Sequence, residues 1–214
     1  MSVVECVLDM CFIVDSSGSI QYKGPENWNK TLAFVVDVIN QFTIGPNDVQ
    51  VAFVLFSDEA TVEWGLTRYS NKAELVSAVR RMRYIGRTTN LNDALNKCCT
   101  QVLAQARSNA KKAGVILTDG EDNVPVVDTP LTIQNAAACK RAGVRLIAIG
   151  VSDDVNEDRL RQIASSPSDY HAVDDFDALP SVVAELQLSQ ICGTTTAPPV
   201  TPSRKICNIF YIDI

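Results

Sequence analysis

Histidine is nearly absent from this sequence: His171 stands alone among 214 residues. One imidazole, set far from the polar loops, leaves no positioned base for a nucleophilic serine or cysteine, and no GxSxG elbow occurs. There is no CxxC spacing to hold zinc, and neither a GxGxxG nor a Walker sequence to cradle a nucleotide. Lys and Arg total 19 against 25 Asp and Glu, a net charge of -6. They concentrate nowhere into the basic surface that a phosphate backbone needs, which excludes nucleic acid as a partner and suits a cation. No apolar run reaches the roughly 18 residues of a membrane span. The first twenty residues lack the basic start and cleavage pattern of a secretory signal, so the sequence is expected to be a fragment or a chain whose signal is missing.

What is present fits one domain with a full core: 46% of residues are apolar and 21% charged. Seven cysteines are many for a cytosolic domain of this size and too scattered for a small disulfide scaffold. Cys6 and Cys192 bracket almost all of the regular pattern, and the compartment is read as oxidising. Strand and helix alternate. Strands are expected at 7–15, 49–56, 60–64, 113–118, 144–150 and 170–173, and helices at 26–42, 71–83, 91–107, 130–142, 156–165 and 177–190. Trp28, Leu32, Val35, Val36, Ile39 and Phe42 share one face of the first helix, and Pro25 suits its first turn. The short gap between the second and third strands predicts a hairpin, hence an antiparallel third strand.

This is an α/β pattern, a doubly wound and mostly parallel sheet with helices on both faces. Such a sheet binds ligands at the carboxyl ends of its strands. From Gly193 onward "GTTTAPPVTPS" cannot build a core and reads as an extended Thr- and Pro-rich linker, leaving 1–192 as the domain and 193–214 as linker and an unassigned tail.

Two strands end in acids, "FIVD" in Asp15 and "VILTD" in Asp119. Ser17 and Ser19 follow Asp15 at i+2 and i+4 in a Gly-containing loop, and "GRTTNLNDAL" at 86–95 offers further hydroxyls before a helix. Carboxylates and hydroxyls without thiol or imidazole make a hard oxygen site, suited to Mg2+ or Mn2+ rather than zinc. The alternative is a set of helix N-caps with no metal. Glu121 and Asp122 beside the site read as a solvated acidic loop.

On these residues the sequence resembles a von Willebrand factor type A domain, over about residues 5–191. Asp15, Ser17 and Ser19 match the DxSxS motif of that family's metal-ion-dependent adhesion site. Thr89 matches its threonine, with Leu95 at the aliphatic position six residues on, and Asp119 in "LTDG" matches its second acid. The resemblance implies a six-stranded sheet of order 3-2-1-4-5-6, with strands one and four side by side. It also implies an Asp or Glu of a protein partner completing the ion's coordination. It favours a secreted protein of the matrix or cell surface, with collagen or a related matrix protein as partner, and a disulfide between Cys6 and Cys192.

The runner-up is a structural matrix-assembly module whose metal site takes no ligand; an intracellular A domain ranks third. An enzyme reading starts from the same Asp15, because dehalogenase-type phosphotransferases place a nucleophilic Asp there beside Mg2+. They need a second acid two residues on, where this chain has Ser17. Cys11 reads as a core residue. A helix-to-helix bridge from Cys98 or Cys99 to Cys139 is left open: neighbours on a helix point about 100° apart, so at most one of the two is well aimed. Cys207 lies in the tail, available to another chain.

Overall fold

The computed structural model describes residues 7–120, 129–186 and 191. Six strands, β1 (Leu8–Asp15), β2 (Val49–Phe56), β3 (Ala60–Trp64), β4 (Lys111–Thr118), β5 (Val144–Val151) and β6 (Tyr170–Val173), form one sheet of order β3-β2-β1-β4-β5-β6. β3 runs antiparallel to β2 and every other pairing is parallel. The helices are α1 (Gly18–Tyr22), α2 (Asn27–Asn40), α3 (Lys72–Arg80), α4 (Leu91–Lys97), α5 (Thr129–Arg141), α6 (Glu157–Ile163) and α7 (Leu179–Glu185).

Alternation along the strands builds two cores. Leu8, Met10, Phe12 and Val14 of β1 face one way, onto Trp28, Leu32, Val35 and Ile39 of α2, with Leu75 of α3 and Val182 of α7. Cys11 and Ile13 face the other way, onto Leu95 of α4, Ala136 of α5 and Leu160 of α6. β1 is buried over its whole length because helices cover both faces and β2 and β4 flank it.

Two sequence expectations shift, and one short helix is added. Pro25 lies in the turn before α2, whose N-cap is Glu26, and not in its first helical turn. The short helix α1 follows Ser17 directly, within the polar loop. The end of the helix expected over 177–190 lies outside the described residues, as do Cys6, Cys192, Cys207, Glu121, Asp122 and the linker.

The helix expected over 91–107 is broken: α4 ends at Lys97, a π turn spans Cys98–Val102, and a 3-10 turn closes at Gln105. A π turn inserts one residue and shifts the facing of all that follow. Cys98 is buried as a free thiol, and Cys99 is bonded to Cys139 of α5 with Cα atoms 5.5 Å apart. Gly114 of β4 leaves room for Leu146 of β5, since a Cβ there would lie 2.9 Å from Leu146 Cδ2.

Candidate functional site

Because β1 and β4 are neighbours in parallel, their carboxyl ends deliver Asp15 and Asp119 to one edge of the sheet, and both acids are almost wholly buried. Asp15 Oδ1 accepts the Ser17 backbone N–H at 2.8 Å, a bond that curls the loop back on itself, and Oδ2 accepts the Thr118 hydroxyl at 2.6 Å. The Ser17 and Ser19 hydroxyls lie 3.0 Å apart, and Ser19 donates to Asp119 Oδ1 at 2.7 Å. Four of the five proposed ligands are therefore linked, Ser17, Ser19 and Asp119 oxygen to oxygen and Asp15 through the Ser17 backbone N–H.

Thr89 comes from the segment between α3 and α4 and is buried at 2% exposure. That segment is fastened to the end of β1. Ser16 accepts the Ile85 N–H on its hydroxyl and the Gly86 N–H on its carbonyl, both at 2.8 Å, and Gly18 N–H donates to the Arg87 carbonyl at 2.7 Å. The Ser57 hydroxyl accepts from Arg87 N–H and donates to the Thr88 carbonyl, each at 2.9 Å, while Tyr84 donates its hydroxyl to the Ser17 carbonyl at 2.6 Å. Gly86 takes a left-handed φ of 78°, which suits a residue without Cβ at this turn. Asn90 then caps α4 by accepting from Asp93 N–H.

The buried acids of this fold divide into two kinds. Asp9, at the opposite end of β1, is fully buried and meets Arg107 through Nε at 2.9 Å and Nη2 at 2.6 Å, with the Arg107 backbone N–H on its other oxygen at 2.6 Å. Asp169 likewise meets Nε and Nη2 of Arg145, at 2.8 and 2.7 Å. Among the described residues Asp15 touches no cation. Burial, and then the charge of Asp119, push its carboxyl up to about 7 against the hydrogen bonds of Thr118 and Ser17. Burial also raises Asp119, opposed by the Ser19 hydrogen bond and the Lys23 charge.

Asp119 Oδ2 is buried and has no hydrogen-bond partner among the described residues, although Lys23 Nζ stands 3.3 Å away as an ion pair. A buried carboxylate oxygen left in this state is costly unless something else occupies its lone pair. Carboxylate and hydroxyl oxygens gathered beside it fit a hard divalent cation. Among the described residues no three of His, Cys, Asp and Glu gather to hold an ion, so a site here depends on the hydroxyls as much as on the acids.

The profile of the von Willebrand factor type A domain matches residues 9–185. The chain belongs to the von Willebrand factor type A domain family. The A domain is 31% identical over 196 residues to human collagen alpha-1(XXI) chain, covering 91% of this chain and 19% of that protein. It is 30% identical over 190 residues to chicken (Gallus gallus) matrilin-1, covering 86% of this chain and 36% of that protein. It thus spans about a third or less of these relatives' length. Among solved structures it is similar to proximal thread matrix protein 1 from the mussel byssus, with a TM-score of 0.79, 29% identity, and coverage of 89% of this chain and 48% of that one. Another structure of that protein, with TM-score 0.78, 30% identity, and coverage of 86% of this chain and 46% of that one, has a zinc-occupied metal-ion-dependent adhesion site.

Sequence reasoning missed several members of the A domain's polar cluster. Thr118 carries a readable signal, being the hydroxyl beside Asp119 in "LTD". Ser16, Ser57 and Tyr84 act through backbone bonds that no residue pattern announces. Lys23 was also missed: its ammonium reaches the Asp119 carbonyl at 2.7 Å and Ser152 Oγ at 2.8 Å. His171 sits in β6 with Nδ1 3.6 Å from Glu185 Oε2.

Proposed function

We propose that this A domain binds another protein through a divalent cation, Mg2+ or Mn2+, held by Asp15, Ser17, Ser19, Thr89 and Asp119. The observation that carries this reading is the pair of deeply buried carboxylates: among the described residues one touches no cation, and the other has an oxygen with no hydrogen bond and only the Lys23 ion pair at 3.3 Å. The arginine-paired Asp9 and Asp169 show how this same fold satisfies an acid whose role is structural. When bound, the ion supplies a Lewis-acidic position that an Asp or Glu of the partner fills. The chain's own part is to hold the oxygens ready: Ser17 N–H and Thr118 orient Asp15, and Ser19 orients Asp119. With two carboxylates for a divalent charge, the site has room for a third acid from outside.

The partner class follows from kinship: relatives named collagen and matrilin support a matrix ligand, collagen or a related protein. An extracellular setting is supported by the same relatives and by the Cys99–Cys139 bond, since disulfides persist in oxidising compartments. Among the described residues no helix is long and apolar enough to cross a membrane. A catalytic role has no support, because Ser17 stands where a phosphotransferase needs its second acid.

Surface plasmon resonance against a panel of matrix proteins tests the proposal. Binding is expected in Mg2+ and is lost in chelator and in Asp15→Ala. Binding that survives both would replace this reading with the structural-assembly one.

A further inference from the structure

Lys23 follows α1, and its backbone N–H bonds back to the Ser19 carbonyl at 2.9 Å, so the lysine stem starts from the same turn that carries the serines. Its ammonium is 2.7 Å from the Asp119 carbonyl, 3.3 Å from Asp119 Oδ2, 2.8 Å from Ser152 Oγ and 3.0 Å from Asp154 Oδ2. It thereby ties the ends of β4 and β5 to the loop after β1. Ser152 holds a left-handed φ of 75°, rare for a residue with a Cβ, and offers its hydroxyl to the ammonium. The Lys23 side chain is 21% exposed, whereas that of Asp154 is 67% exposed and well solvated.

Charge decides what this arrangement does. With both carboxylates ionised to receive a metal, Asp15 and Asp119 carry two negative charges, and Lys23 places one positive charge against an oxygen of the second. A cation arriving among these oxygens meets about one net negative charge instead of two. We propose that Lys23 is a resident cation of the site, which keeps Asp119 in place without metal, weakens divalent-ion binding, and leaves a bound ion short of negative charge so that it draws the partner's carboxylate. This rests on the reading of the five residues as a metal site and adds a positioning residue outside them. Two effects of removing the lysine oppose one another. Loss of the tie loosens Asp119, but that carboxylate stays anchored by Ser19 at 2.7 Å and by its place at the end of β4. Loss of the repulsion acts on a doubly charged ion in a poorly solvated site, and it wins.

The test is Mn2+ binding to the whole chain without partner, by isothermal titration and by electron paramagnetic resonance. Lys23→Met is expected to bind Mn2+ at least tenfold more tightly than wild type, and Lys23→Arg to restore the weaker binding. Lys23→Gln, which keeps a donor but loses the charge, should follow Met and serves if Lys23→Met folds poorly by circular dichroism. A lysine that acted only as a structural clamp would give the opposite sign, so equal or weaker binding in both uncharged variants would overturn this proposal while leaving the metal site standing. Absence of Mn2+ binding to wild type and variants alike would overturn both.

Discussion

Asp15→Asn in chelator is the perturbation whose outcome follows most directly from the structure. The carboxyl titrates near 7 in the folded chain against 3.8 for a free side chain, chiefly because it is buried. That difference is worth about 4 kcal/mol, at about 1.4 kcal/mol per tenfold change. The folded pKa is the higher one, so the stability it represents is complete below about pH 4 and is lost as pH rises through about 7. Roughly 2–3 kcal/mol of it falls between pH 5 and pH 8.

Asparagine in its place is accommodated. Its carbonyl still accepts from Ser17 N–H, and its amide faces Thr118, whose hydroxyl lies 3.2 Å from the Gly120 carbonyl and can donate there instead. Urea unfolding followed by circular dichroism should show wild type losing about 2–3 kcal/mol more than Asp15→Asn on going from pH 5 to pH 8, other titrations being common to both. Mg2+ added at pH 8 should stabilise wild type and leave the variant unmoved. Parallel stability curves would refute the assignment of the strain to Asp15.

Two further perturbations reach other parts of the chain. Arg107→Ala strands the fully buried Asp9 and should cost about 3–5 kcal/mol in urea unfolding; a loss below about 1 kcal/mol would mean that water reaches Asp9. An unreduced digest read by mass spectrometry should link the Cys99 and Cys139 peptides and leave Cys11 and Cys98 as thiols that alkylate only on unfolding. Replacing both bridged cysteines with serine should lower stability by up to about 4 kcal/mol for their separation of 40 residues. The same digest decides the Cys6–Cys192 pairing expected from the family.

Much of the architecture was readable because it rests on local rules. Buried runs bounded by turn residues place all six strands, and the DxSxS spacing and the two terminal acids single out Asp15, Ser17, Ser19 and Asp119. The choice between Cys98 and Cys99 was not readable, since it depends on a π turn that a 3.6-residue period does not anticipate. Asp9 and Asp15 sit in the same strand, on the same face, and both are buried acids. The DxSxS spacing marks Asp15, but nothing in the residues around Asp9 announces the arginine that pairs with it.

The sequence by itself determined the fold class, the order of elements and the residue types offered at the sheet's edge, because hydrophobic period and turn chemistry act between near neighbours. Only the tertiary structure decided the charge balance. Arg107 stands 98 residues from the acid it neutralises, and Lys23 stands 96 from the acid it half neutralises. Those pairings depend on which chain ends the sheet brings together, and the energy of a buried carboxylate is set by what lies within a few ångströms of it in space.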